Sequence, residues 1–183
     1  MKIVTVPHPI LRQKAQAVSA VTKELIRFVA DLEKTLEKTT NPKGVGLAAP
    51  QVNNKQRIFT MRADQPQTLI NPVITKTSLK RVLGDDQESQ ILEGCLSIPS
   101  IYGPVPRWSW VDVEYLELTE TKLVGQRTRY FDYEARVVQH EIDHLDGILF
   151  TDYSQEYDLP VYQENDVNKK LESIDQRLLE LWQ

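Results

Sequence analysis

Residues 132–147 read Asp132-Tyr133-Glu134-Ala135-Arg136-Val137-Val138-Gln139-His140-Glu141-Ile142-Asp143-His144-Leu145-Asp146-Gly147. The pattern predicts a helix over Tyr133–Asp146, with Asp132 as N-cap and Gly147 just past its end. His140 and His144 then lie one turn apart on one face, within reach of a single cation. At about 100° per residue from Arg136, His140 falls at ~40°, His144 at ~80° and Glu141 at ~140°. Val138, Leu145 and Ile142 make an apolar side, and Gln139, Asp143 and Asp146 are expected to make a wet one. Three ionisable groups beside a buried stripe are costly unless paired or coordinated. The chain has three histidines, and two of them sit in this pentad. The reading is a metallohydrolase helix.

The pentad leaves a third ligand open. In the longer pattern that ends in a third histidine, position 150 would be His; here it is Phe150. A downstream glutamate, Glu156 or Glu164, is a formal alternative. The remaining soft ligand is the sole cysteine, Cys95, in Glu93-Gly94-Cys95-Leu96-Ser97-Ile98-Pro99. Gly94 permits close backbone approach, and a divalent ion would deprotonate the thiol. One thiolate and two imidazoles leave a fourth position free, the open geometry of a catalytic site. A lone cysteine cannot form an intramolecular disulfide, which suits a reducing compartment. His8, between Pro7 and Pro9, reads as a packing or turn residue without a role in the site.

A second marked segment is Gly44-Val45-Gly46-Leu47-Ala48-Ala49-Pro50-Gln51. Its small residues permit close approach of an extended ligand, and Gln51 offers a neutral amide donor. It follows a predicted helix over Val21–Leu36, with Thr22 as N-cap and Leu25, Ile26, Val29, Leu32 and Leu36 as its stripe. That helix ends before the breakers Asn41-Pro42-Lys43-Gly44.

From Arg57 to Phe131 the pattern turns extended. Strands are expected at Ile58–Met61, at Leu69-Ile70 before Asn71-Pro72, at Ile91-Leu92, and over the alternating run Val111–Leu118. Pro99, Pro104 and Pro106 predict loop or edge structure between them. Gly84–Asp86 and Gln87–Gln90 read as a solvated loop. A C-terminal helix is expected over Asn165–Trp182, its stripe formed by Val167, Leu171, Ile174, Leu178 and Leu181. The class is α+β: antiparallel or mixed strands around a central metal-bearing helix, with N-terminal and C-terminal helices. The 183 residues are expected to form one domain.

Composition excludes several classes. The formal net charge of −4 argues against a general nucleic-acid surface. Apolar runs fall far short of the ~20 residues that span a bilayer. The first residues, Met1-Lys2-Ile3-Val4-Thr5-Val6, lack the marks of a secretory or transit signal, so a bacterial-type cytoplasmic location is expected.

Taken together, Gly44–Gln51, Glu93–Ser97 and Gln139–His144 resemble the three signature motifs of peptide deformylases, in order and separation. Weaker agreement lies in His8-Pro9-Ile10-Leu11-Arg12 and Val105-Pro106-Arg107, so the resemblance spans about residues 1–153. It implies removal of the formyl group from N-terminal formyl-methionine of new proteins. By resemblance, Cys95, His140 and His144 bind one divalent ion, with Fe(II) the usual ion in that family and Zn, Ni or Co able to replace it. Ligand chemistry alone suggests zinc. Glu141 would be the proton carrier, general base and then general acid. Gln51 and the backbone N–H of Leu96 would hold the formyl oxygen. Val45, Gly46, Tyr133 and Val137 would help line the methionine pocket, and Glu93 and Gly94 would border the substrate, with Glu93 paired to Arg107.

The pattern departs from the family at Leu92, often acidic there, and at Tyr102, often a substrate-contacting arginine. The implied partners are N-formylmethionyl nascent peptides and a transient ribosome contact, with no sequence-specific nucleic acid, no membrane and a monomeric state. Two other readings compete. A zincin-type metallopeptidase would not need Cys95, and a catalytically silent metal-binding or ribosome-associated module would not need Glu141.

Overall fold

Amphipathic spacing and capping build the first helix, α1, over Lys23–Glu37. The Thr22 hydroxyl accepts from the Leu25 N–H at 3.1 Å, satisfying one of the free donors of the first turn. Leu25, Val29, Leu32 and Leu36 are buried, but Ile26 turns outward and is 42% exposed, so it is not part of the stripe. The computed structural model describes residues 1–63, 66–84, 90–120 and 122–182. Most of the expected 84–90 loop, residues 85–89, lies outside the described residues.

The described residues form eleven strands: β1 (Gly46–Ala48), β2 (Ile58–Met61), β3 (Gln67–Thr77), β4 (Arg81–Val82), β5 (Leu92–Cys95), β6 (Ile98–Pro104), β7 (Arg107–Trp108), β8 (Trp110–Leu118), β9 (Leu123–Phe131), β10 (Val161–Glu164) and β11 (Leu171–Ile174). They form a five-stranded sheet ordered β1-β2-β3-β8-β9, a four-stranded sheet ordered β11-β10-β6-β5, and the ribbon β4-β7. Every strand pair is antiparallel. Two strand readings need correction. β3 runs on through Asn71-Pro72, absorbing them at a register shift between Ile70 and Val73. β6 is an interior strand despite Pro99 and Pro104, which stand near its two ends.

The second helix, α2, spans Asp132–Asp146 and is followed by α3 (Phe150–Glu156). Asp132 is the first helical residue, and the extended Phe131 is the cap instead. Gly147 ends α2 in the left-handed region at φ 76, where its N–H reaches the His144 carbonyl at 3.3 Å. Ala135, Val138, Ile142 and Leu145 pack with Phe59, Met61, Leu69, Val111 and Val113. Each of these side chains larger than alanine contributes about 1.5–3 kcal/mol on burial.

α2 has no wet side. Gln139 is buried, its amide exchanging hydrogen bonds with the backbone of Trp108 at 3.0 and 2.9 Å. Asp143 pairs with Arg107, and Asp146 with Arg57. The ribbon strand β7 covers Gln139 and Asp143 on the face that helical periodicity assigns to solvent.

The expected C-terminal helix over 165–182 is absent. In its place β10 and β11 form a hairpin, and a 3-10 helix spans Gln176–Trp182. Val167, a member of the supposed stripe, is 95% exposed in the connecting turn. Asn165 builds that turn, its side-chain oxygen accepting from the N–H groups of Val167 and Asn168. Local turn chemistry overrides the helical spacing. No helix among the described residues is long and apolar enough to cross a membrane.

Candidate metal centre

Three separate elements bring the site together. β5 supplies Cys95, α2 supplies His140, Glu141 and His144, and the loop entering β1 supplies Gly44-Val45-Gly46. The ligand atoms of Cys95, His140 and His144 all lie within 4.8 Å of one another. Cys95 Sγ is 3.1 Å from His144 Nε2, and the two imidazoles meet edge to face with centroids 4.9 Å apart. Among the described residues this is the one group of ligating side chains so gathered. Glu156 and Glu164 take no part. Glu164 is paired with Lys169 at 3.1 Å.

The donor set fits a divalent cation on its chemistry. His140 Nδ1 lies 2.9 Å from Glu93 Oε2, which fixes the ring and leaves Nε2 for the cluster. His144 Nδ1 and Glu141 Oε2 are buried and have no hydrogen-bond partner among the described residues. Burial disfavours the charged form of His140, yet its bonds to Cys95 and Glu93 outweigh this and raise its pKa. Burial and the neighbouring His140 hold His144 well below the usual range, as a neutral ligand requires.

Glu141 is buried beside it. A Cβ at position 46 would fall on the Glu141 carboxylate, so only glycine allows that loop to close over the acid. Burial pushes Glu141 up to about 7, against the opposing pull of His140. Gln51 is anchored by the Ala48 N–H donating to its Oε1 at 2.8 Å. Its Nε2 then donates to Cys95 Sγ at 3.4 Å and Ser97 Oγ at 3.3 Å.

A cavity of about 240 Å³ opens beside these groups. Every expected substrate-side residue borders it: Val45, Gly46, Glu93, Gly94, Tyr133 and Val137, along with Gln51 and Leu96. Glu93, however, has both oxygens engaged by Arg107, Arg136 and His140, so it faces the protein more than a ligand. Burial alone would raise the Glu93 pKa; the Arg107 guanidinium holds it well below the carboxylate range instead. Tyr102 lies over Gly94, where a Cβ would meet its ring at 2.6 Å.

Several supporting residues escaped the sequence reading. Arg62 gathers the carbonyls of Leu36, Thr39 and Gly44 and so pins the loop that carries Val45 and Gly46. Arg136 reaches Glu93, and Asp143 reaches Arg107. The spacing of Arg136, four residues before His140, was the available signal for Arg136.

Comparison with known proteins supplies the family. The model of the polypeptide deformylase family matches residues 1–159. The peptide deformylase of Pseudothermotoga lettingae is 38% identical over 151 residues, covering 82% of this chain and 81% of the relative. That of Roseiflexus castenholzii is 40% identical over 163 residues, covering 78% and 80%. Among solved structures, the class I type b peptide deformylase of Acinetobacter baumannii superposes with a TM-score of 0.70 at 33% identity, covering 82% of this chain and 96% of its own. With the family model, the sequence relatives and the backbone in agreement over most of its length, the chain belongs to the polypeptide deformylase family.

Proposed function

We propose that Cys95, His140 and His144 hold one divalent ion, and that Glu141 carries the proton while water hydrolyses the formyl amide of N-formylmethionyl peptides. The chain is a metal-dependent hydrolase of the deformylase type. The observation that carries the residue assignment is the convergence of thiol and two imidazoles, drawn from separate elements, next to a buried carboxylate on the cavity wall.

When bound, the ion supplies Lewis-acid chemistry, acidifying water and polarising the formyl carbonyl. The residues do the rest. Glu141 takes a proton from the attacking water and returns it to the departing amine, so that formate and a free N-terminus result. The Gln51 Nε2 and the Leu96 N–H donate to the developing oxyanion; one such donor is worth about 3–4 kcal/mol. Val45, Val137 and Tyr133 border the methionine side chain. Glu93 holds the His140 ring, and Gly94 leaves room for the Tyr102 ring at the rim.

Fe(II) is the ion proposed in the cell, because the family resemblance points to it. Zinc is the ion that the donor set alone favours. The substrate partners are N-formylmethionyl nascent peptides, met by a monomeric, single-domain cytoplasmic enzyme in transient contact with the ribosome. Anaerobically purified protein is given a formyl-Met peptide and, separately, a blocked peptide with only internal bonds. Formate from the first and no new amine from the second is the expected result. Glu141→Gln should keep its metal and lose about 10²–10⁴-fold in turnover. Internal cleavage, or near-wild-type turnover by Glu141→Gln, would refute the reading.

A further inference from the structure

We infer that Arg136 is a positioning residue for the ligand His140, acting through Glu93 to set the spacing between the strand that carries Cys95 and the helix that carries both histidines; this rests on the ligand set proposed above. Glu93 stands two residues before Cys95 on β5, and Arg136 stands one turn before His140 on α2. The two helix residues grip opposite oxygens of the same carboxylate: Arg136 Nη1 donates to Oε1 at 3.0 Å, and His140 Nδ1 meets Oε2 at 2.9 Å. Glu93 is therefore latched across two successive turns of α2, and the latch lies beside the cysteine.

Arg107 cannot supply this by itself. It donates to Glu93 at 2.9 Å through both Nε and Nη2, but it also pairs with Asp143, so one guanidinium faces two carboxylates. Arg136 is the second cation that brings the pair of carboxylates to balance. It is tied to the backbone as well, donating to the Val105 carbonyl at 2.8 Å and the Val82 carbonyl at 3.3 Å. Its side chain is 5% exposed, so the bond to Glu93 is charge-assisted and shielded from solvent. Without it, Glu93 is free to follow Arg107, and the orientation of His140 goes with it.

A purely structural ion pair would look similar, and Arg57 provides the comparison. It anchors the far end of the same helix through Asp146 at 2.8 Å and the Pro72 carbonyl at 3.1 Å, without touching Cys95, His140 or His144. Full-length wild type, Arg136→Met, Arg136→Lys and Arg57→Met are stripped of metal. Co(II) affinity is then measured by chelator competition, beside urea unfolding of the metal-free proteins. Arg136→Met is expected to bind Co(II) about 10–100-fold more weakly. Arg136→Lys restores the charge but not the fork, and recovers part of the loss. Arg57→Met loses stability with its Co(II) affinity unchanged. Wild-type affinity in Arg136→Met, or an equal loss in Arg57→Met, overturns the inference. Should Arg136→Met fail to fold, Arg136→Lys decides: weakened binding supports the latch, and unaltered binding overturns it. Wild type that takes up no Co(II) overturns the ligand set itself, and the latch with it.

Discussion

Two carboxylates in this molecule are each gripped by two arginines, in opposite surroundings. Glu93 lies between Arg107 and Arg136, whose side chains are 3% and 5% exposed. Asp112, on β8, lies between Arg127 and Arg129 of the neighbouring β9, whose side chains are 51% and 45% exposed. Asp112 itself is nearly covered, but its cover is two solvated guanidiniums, so water and salt still screen the charge. Arg129 also stacks on Trp110 at 4.1 Å, which keeps part of its grip apolar. The same inventory therefore does different work. In the interior it holds the His140 ring in a desolvated network that tolerates little displacement. At the sheet surface it joins two strands and can be lost without consequence for the site.

The widest separation between the two should come from removing the carboxylates. Glu93→Ala leaves Arg136 buried without a carboxylate, beside an Arg107 held by Asp143 alone, and should cost about 3–5 kcal/mol, read by urea unfolding of metal-free protein. A cost indistinguishable from that of Asp112→Asn would erase the distinction. Asp112→Asn should lower Tm only slightly, and the shift should shrink in 1 M salt, where the Debye length is about 3 Å. A shift that persists at high salt would mean that Asp112 is as insulated as Glu93.

The smallest effect concerns acid. Its hydrogen bond from Arg129, reinforced by Arg127, holds the Asp112 carboxyl down at about 2, below the value near 4 expected in the unfolded chain. A depressed folded value contributes stability above the unfolded pKa and loses it as the pH falls. The Tm gap between wild type and Asp112→Asn should therefore close between about pH 4 and pH 2. A gap that stays constant through that window would contradict the assignment.

The comparison also shows what could be read from the residues alone. The His-Glu-x-x-His pentad, the lone cysteine beside a glycine and the glycine loop carry their chemistry in residue type and short spacing, and each contributes residues to the wall of one cavity. Thr22 and Gly147 announce helix ends through local physics, and both act as expected. What stayed hidden was tertiary. Gln139 reads as a solvated residue until β7 lies over it. Arg136, only the starting point of the helical wheel, has no evident role until Glu93 arrives from β5. At the C-terminus, Val167, Leu171 and Ile174 keep helical spacing, but Asn165 turns the chain and Val161 buries itself against the Cys95 core. Periodicity cannot reveal a partner that comes from far along the chain.

Most directly, the account stands on the ligand set, which X-ray absorption of zinc-loaded protein would read. One sulfur at about 2.3 Å and two imidazole nitrogens at about 2.0–2.1 Å are expected, with the sulfur lost in Cys95→Ser. A first shell of nitrogen and oxygen only, unchanged by Cys95→Ser, would contradict it.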